Sequence, residues 1–348
     1  MKNRRILKVL AIAAVSLGTL TACDPPIPDS VLVEIAERSY TCETGEVSIS
    51  TDPILFDVAT LWSDSVAEAC EGEMIFSPQT ENNTADIQIT RAEDGICEAF
   101  DATPVAVDGA AIVFFNSEAF LLSLDAATVQ GIFSGEITSW ADPAITATNP
   151  DLGLSDLPIV VSPGAPAAAV KAMESWTSRL SGAEVPFSLL EVNEASQADS
   201  IYELPEGGIA LISLSEALYA GVTIANVINE EGVAVEPGLE SLTFAGSQFV
   251  ATKADTSVTV ELDPEKQAIA LAGQEFAGAP YQAVFPVYMY LCGEDTLLKR
   301  AAARFMLRQD SQGLIGSSTL TYISEDVRIA AAAHVSIGLP TPTAVPEG

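Results

Sequence analysis

The chain alternates between short apolar runs of period two and longer stretches with apolar residues three or four positions apart. Glu46-Val-Ser-Ile-Ser50 alternates as a strand. Thr51-Asp52-Pro53 then starts a helix, with a capping residue ahead of a proline in the first turn. From Ile54 to Ala69, positions Ile54, Leu55, Val58, Leu61, Trp62 and Val66 fall on one helical stripe, which assigns Trp62 to core packing. Met74-Ile-Phe-Ser77 and Asp86-Ile-Gln-Ile-Thr90 read as the second and third strands. Val105 to Phe115 reads as two short strands around a turn, and Ser123 to Phe133 as a capped amphipathic helix. The stretch Ile132 to Pro150 is heavily punctuated. A helix ends at Gly135, Trp140 follows, Asp142-Pro143 restarts the chain and Asn149-Pro150 closes it. Leu157-Pro-Ile-Val-Val161 is then a buried apolar strand leading to a helix from about Ala167 to Leu180. Strands alternating with helices in this way define an α/β fold.

Length and composition agree with a folded body of two domains. The 348 residues are 48% hydrophobic, enough for a sizeable core. The formal charge is −33, from 48 acids against 15 Lys plus Arg. Such a surface excludes nucleic acid and anionic lipid headgroups as partners. It is a solvated acidic exterior, or else the surroundings of a cationic ligand. One histidine, with no Ser-His-Asp or Cys-His arrangement and no Gly- and Lys-containing phosphate loop, leaves no catalytic constellation and no cofactor motif. The chain therefore reads as a binding protein, not an enzyme.

The N-terminus is an address. Met1 to Lys8 is basic, and Val9 to Leu20 is an apolar run too short to span a bilayer. Leu20-Thr-Ala-Cys23 follows and resembles the lipobox of bacterial lipoproteins. That resemblance implies cleavage before Cys23, a signal peptide over 1–22, and lipid on Cys23. The protein would then sit on the outer face of the cytoplasmic membrane. Removing the four bases before Cys23 takes the charge from −33 to −37. Residues 23–38 begin Cys-Asp-Pro-Pro-Ile-Pro and read as an irregular tether. The four remaining cysteines, an even number, fit an oxidising compartment. Cys42 precedes the first strand and Cys70 ends the first helix, and those points share one end of a parallel β-α unit. This favours Cys42 with Cys70 and Cys97 with Cys292 among three connectivities. A metal site is disfavoured, since no CxxC occurs and the only histidine, His334, is far along the chain.

The order of elements from 45 to 330 resembles the phosphate-binding protein of bacterial phosphate ABC transporters, a type-2 periplasmic binding protein. The 132–161 and 285–323 stretches carry this most specifically. Leu204-Pro-Glu-Gly-Gly-Ile-Ala-Leu-Ile-Ser213 resembles the family's glycine-rich entry to a buried strand, and Phe285 to Leu291 its returning strand. The resemblance implies two lobes joined by two crossing hinge strands, with a solute bound between them and delivered to an ABC permease. It divides the chain into a first lobe of 39–116 and 285–335, a second lobe of 117–284, and a loose tail of 336–348. Thr51 matches the Thr that ends the family's first strand. It serves as ligand contact or as plain helix cap. Arg91 stands near the family's ligand-binding Asp. It either grips an anion at the cleft edge or pairs with Glu93 or Asp94 on the surface.

The family's phosphate loop departs from its pattern here. Ser162-Pro-Gly-Ala-Pro-Ala-Ala-Ala169 puts Pro163 at the Arg position, Ala165 at the Asp, and Ala167 to Ala169 at Ser, Gly and Thr. Only Ser162 keeps a hydroxyl, and Gly153 to Ala169 contains no Arg, Lys or Thr. Burying phosphate needs charge-assisted donors that this loop lacks. The ligand-binding candidates are therefore Thr51, Arg91 and Ser162. The functional expectation is a solute-binding lipoprotein whose ligand, phosphate or another solute, is altered. The alternative is a non-transport envelope interaction or sensory module with an inactive cleft.

Overall fold

The computed structural model describes residues 28–80, 84–92, 96–195, 201–270 and 278–340. Its main sheet uses strands β1 (Gly45–Thr51), β2 (Met74–Thr80), β3 (Ile87–Thr90) and β4 (Ala99–Phe115) from the first half of the chain. Short strands β5 (Ser123–Leu124), β6 (Val160–Val161), β7 (Gly164–Ala165) and β8 (Glu191–Val192) precede β9 (Gly208–Ser213). Then come β10 (Asn226–Ile228), β11 (Ala234–Val235), β12 (Phe249–Lys253), β13 (Val258–Leu262), β14 (Val284–Cys292) and β15 (Thr321–Tyr322). The sheet order is β2-β1-β3-β14-β4-β9-β6, with β15 added to β4. Strands β1, β2 and β3 run parallel, whereas β14 is antiparallel to both β3 and β4.

β4 is shared between two lobes. Residues 99–109 pair with β14, and residues 110–115 pair with β9. The two ladders therefore meet between Gly109 and Ala110. This corrects the reading of Val105 to Phe115 as two strands around a turn, because β4 is one continuous strand. Asp108-Gly109 looks like turn chemistry, but both residues serve the interior. Asp108 is fully buried. A Cβ on Gly109 would lie 3.2 Å from the Ala283 carbonyl of the returning chain. The second crossing is fixed here as well: the Ala110 amide donates to the Ala283 carbonyl at 2.8 Å, and the buried Tyr281 hydroxyl donates to the Ala110 carbonyl.

The punctuated stretch organises the second lobe. Asp125, not Ser123, caps the helix Ala126–Ser134 by accepting from the Thr128 amide, since Ser123 is spent in β5. Gly135 ends that helix with φ +86°. Trp140 is fully buried, and its indole N–H donates to the Gly207 carbonyl at 3.0 Å. Asp142 caps the helix Pro143–Thr148. Asn149 exchanges two hydrogen bonds with the Ser123 backbone, both 2.8 Å. The apolar strand expected at Leu157–Val161 is shorter, only β6, and Val160 is exposed because β6 is the sheet edge.

In the first lobe, Leu55, Val58, Trp62 and Val66 are buried as the stripe predicts, but Leu61 is exposed. The Trp62 N–H donates to the Ser311 carbonyl. Disulfides join Cys42 to Cys70 and Cys97 to Cys292. Residues 239–262, counted above with the second lobe, pack on first-lobe elements: Ala102 bridges to Ser257, and Tyr288 accepts from the Val260 amide. Of the expected tail, Leu339 packs on the core, and 341–348 lie outside the described residues.

The tether also needs correcting. Residues 29–37 form a helix, Asp29–Glu37, because all three prolines lie at or before its N-cap, Pro28. The helix is held by arginines from the chain's far end. Arg308 donates to the carbonyls of Ala36, Glu37 and Ser39, and Glu37 pairs with both Arg304 and Arg328. Burial raises the Glu37 pKa, but the Arg304 charge and the Arg328 hydrogen bond outweigh it and hold it below the usual glutamate value. A depressed folded-state pKa adds stability above the unfolded value, and this is lost as pH falls through the folded one. Glu37→Gln should therefore destabilise by about 2 kcal/mol at pH 7, and the gap to wild type should close below about pH 4. Thermal unfolding of both proteins from pH 7 to pH 3 tests this; a gap constant across the range would refute it.

Candidate functional site

The carboxyl ends of β1 and β3 face the carboxyl end of β9 across the Gly109–Ala110 junction, where open α/β sheets place their ligands. Arg91 fills this point. It follows the last residue of β3, and its backbone N–H and Nε both donate to Asp52 Oδ2, at 3.0 and 2.9 Å. Asp52 is set by its own position one residue past β1, and its other oxygen accepts from the Thr90 hydroxyl. Arg91 Nη1 reaches Asp108 at 3.4 Å, Ser213 at 2.5 Å and Ser215 at 3.0 Å, and Nη2 reaches Glu216 at 3.2 Å. Ser213 ends β9, while Ser215 and Glu216 open the helix Leu214–Ala220. One first-lobe guanidinium is thus held by a first-lobe carboxylate, the shared strand and three second-lobe side chains.

The cluster is nearly dry. The side chains of Arg91, Asp108 and Glu216 are 12%, 0% and 6% exposed. Asp108 also accepts from the Gly109 amide and from the Ser215 amide and hydroxyl. Burial pushes its carboxyl above the usual aspartate range, against the opposing pull of the Arg91 charge and these hydrogen bonds. Burial disfavours the Arg91 charge, but Asp52, Asp108 and Glu216 together hold its pKa above the ordinary arginine value. Three carboxyl groups meet one guanidinium.

Thr51 and Arg91 are brought together here, with Thr51 beside Ile89 in register. Thr51 is 3% exposed, and its hydroxyl has no hydrogen-bond partner among the described residues. Ser162 is not among the hydrogen-bond partners of Arg91. It is half-buried, and its amide donates to the Ile209 carbonyl. The loop after it is tied by β7 pairing with β8, and the Ala167 amide at the start of the helix Ala167–Ser181 donates to the Glu194 carboxylate at 3.0 Å. A side chain of the protein therefore occupies the helix end that an anion would use. Glu93 and Asp94, the surface partners considered for Arg91, lie outside the described residues, as does Cys23. Asp52, Asp108, Ser213, Ser215, Glu216 and Glu194 were not singled out from sequence. The one available signal was the polar run Ser213-Leu-Ser-Glu216 directly after a wholly buried strand. Among the described residues no group of acids, histidines or cysteines is arranged to hold a metal ion.

A family model for the PBP superfamily domain matches residues 83–307, well over half of the chain. This chain belongs to the PBP superfamily. No curated protein matches the sequence. Among solved structures, a high-affinity periplasmic phosphate-binding protein, PfluDING, with bound phosphate is 13% identical, with TM-score 0.54, over 83% of this chain and 93% of that one. A phosphate-binding protein from Stenotrophomonas maltophilia is 13% identical, with TM-score 0.51, over the same 83% and 93%. At this identity the likeness is one of fold: the PBP chain described here has the two-lobed α/β architecture of periplasmic binding proteins. Among its described residues no helix is long and apolar enough to cross a membrane.

Removing the guanidinium would take the Arg91 cation away from the fully buried Asp108 carboxyl of this PBP chain, a change that costs about 3–5 kcal/mol in comparable sites. Arg91→Met should lower the thermal midpoint strongly at pH 7. The loss should shrink near pH 4.5, because a carboxyl whose folded pKa is raised above its unfolded value loses stability as pH rises through the folded value. An equal loss at both pH values would sink this account of the cluster.

Proposed function

We propose that this protein is an extracytoplasmic solute-binding lipoprotein of an ABC-type uptake system, anchored through Cys23 on the outer face of the cytoplasmic membrane. Its cleft takes a solute with a cationic group in place of phosphate. The observation that carries this reading is the carboxyl excess around Arg91 at the meeting point of β1, β3 and β9. A like charge 4 Å from a carboxylate costs about 4 kcal/mol at an effective dielectric of 20. A phosphate entering here meets that repulsion, and Arg91 already spends its Nε, Nη1 and Nη2 on protein acceptors. On the second lobe, Glu194 adds another carboxylate where the helix end would attract an anion. Asp52 and Glu216 are the groups suited to pair with an incoming ammonium or guanidinium. The acidic composition outside the signal segment favours the same ligand charge. The lipobox and the two disulfides support an exported, membrane-tethered protein.

One observation favours a second reading. Arg91 ties the lobes together through its own bonds to Ser213, Ser215 and Glu216, as an internal ligand would. On that reading the protein is an envelope interaction or sensory module whose cleft stays shut.

Thermal unfolding of the mature chain carrying Cys23→Ser, against phosphate and a panel of amines, guanidines, amino acids and sugars, separates these readings. A cationic solute at a thousand times its dissociation constant should stabilise by about 4 kcal/mol, a rise of several degrees. A rise with phosphate would overturn the ligand assignment. No rise with any solute would leave the module with a shut cleft as the function.

A further inference from the structure

Away from the Arg91 cluster, a hollow of about 320 Å³ lies between the lobes. Trp176, Asn229 and Glu230 of the second lobe line it, and so do Gln248, Pro264 and Gln282. Pro264 lies two residues before Lys266, which pairs with Asp326 of the first-lobe helix Glu325–Val335. Gln282 stands between Tyr281 and Ala283, the two residues that fix the second crossing.

A chain of side-chain hydrogen bonds runs along this hollow from one lobe to the other. Gln248 is 3% exposed, and its Nε2 donates to the carbonyls of Pro264 and Lys266 at 3.0 and 2.8 Å. Both of its N–H groups are then spent, so its Oε1 accepts from Gln282 Nε2 at 2.8 Å. That orientation presents the Gln282 Oε1 as an acceptor, and Arg179 Nη2 donates to it at 2.6 Å. The two carbonyls at the start set the direction of every later bond, and the last position requires a donor. Arg179 lies in the last turn of the helix Ala167–Ser181, whose first residue is the Ala167 bonded to Glu194 at the cleft. One helix therefore runs from the altered loop to this hydrogen-bond chain.

The charges nearby call for a cation at the same point. Partial burial lowers the Arg179 pKa, while Glu230 and Glu265 pull it the other way. Glu230 belongs to the second lobe, and Glu265 follows Pro264 on the first-lobe side. Lys171 is the only other Lys or Arg between Arg91 and Lys253, so the second lobe holds little positive charge to take over from Arg179. Without it, two like charges would act on each other across the hinge, a repulsion that opening relieves.

We infer that Arg179 is a strap across the hinge: it ties the second lobe to the returning chain through Gln282 and offsets the repulsion between Glu230 and Glu265, holding the lobes together. The strap is independent of the solute assigned to the cleft.

The test is a distance measurement between spin labels on Asp57→Cys and Val192→Cys in the solute-free mature chain carrying Cys23→Ser. Both positions are exposed, one in the first turn of the helix after β1 and one in β8 beside the altered loop. Arg179→Met should move the distance distribution to longer values by several ångströms. Adding Glu230→Gln to Arg179→Met should recover part of that shift, which a side chain that merely packs at a helix end would not predict. Gln282→Ala breaks the hydrogen-bond chain and keeps the cation, and it serves if Arg179→Met does not fold. It should lengthen the distance by less than Arg179→Met does. An unchanged distance in Arg179→Met or in Gln282→Ala would leave closure to the Arg91 cluster alone and overturn the proposal. A shift that Glu230→Gln does not reduce would overturn it as well.

Discussion

A single strand carries the hydrogen-bond ladders of both lobes. β4 changes partner between Gly109 and Ala110, from β14 to β9, without leaving the extended conformation. Everything at the cleft is positioned from that junction. Asp108 stands one residue before it, and Ser213 faces Ala110 across the second ladder. Because the return crossing is pinned by Ala283 and Tyr281 at the same place, the two lobes cannot slide past each other without breaking buried backbone bonds. Rotation about this junction is the motion the architecture leaves available, the hinge closure common to such folds. The Arg91 cluster lies beside that axis. Its bonds to Ser213, Ser215 and Glu216 are therefore those a hinge opening must stretch.

The cleft is built around charge the protein supplies to itself. In a solute-binding cleft the desolvation of a buried ion is offset by the ligand, so the empty cleft gains from staying open to water. Here the cation is covalently part of the first lobe and three of its partners belong to the second. Burial raises Asp108 while three carboxyl groups raise Arg91, which is the signature of a group desolvated together with its partners. The local concentration of such a tethered cation is high, so a free cationic solute must offer more than Arg91 does to displace it, or bind alongside it on the residual negative charge.

Much of the architecture was legible because its signals are local. Gly135, Asp142-Pro143 and Asn149 mark element ends by turn and cap chemistry, and each does so in the structure. The stripe through Val58, Trp62 and Val66 is a helix periodicity that packing preserves. The site was less legible, because its members are 39, 17 and 125 residues apart from Arg91 in sequence and no spacing rule connects them. Asp108-Gly109 misled for a physical reason: the same two residues that favour a turn also suit a strand that must hide an ion partner and let another backbone pass. The helix Asp29–Glu37 was missed because its stability comes from Arg304, Arg308 and Arg328, nearly the whole chain away.

The altered loop after β6 can be understood in the same terms. A phosphate loop leaves backbone N–H groups and side-chain donors pointing at the ligand. In Ser162 to Ala169, Pro163 and Pro166 remove two such N–H groups, and the strand pairing of β7 with β8 directs the loop's carbonyls of Pro163 and Ala165 to Glu191 and Asn193. One orphan donor at the helix start, the Ala167 N–H, is taken by Glu194. Restoring an arginine in this loop would therefore not restore an anion site. Glu194 would still hold the Ala167 N–H at the helix end. A phosphate seat in this scaffold needs the acid removed as well as the cation added.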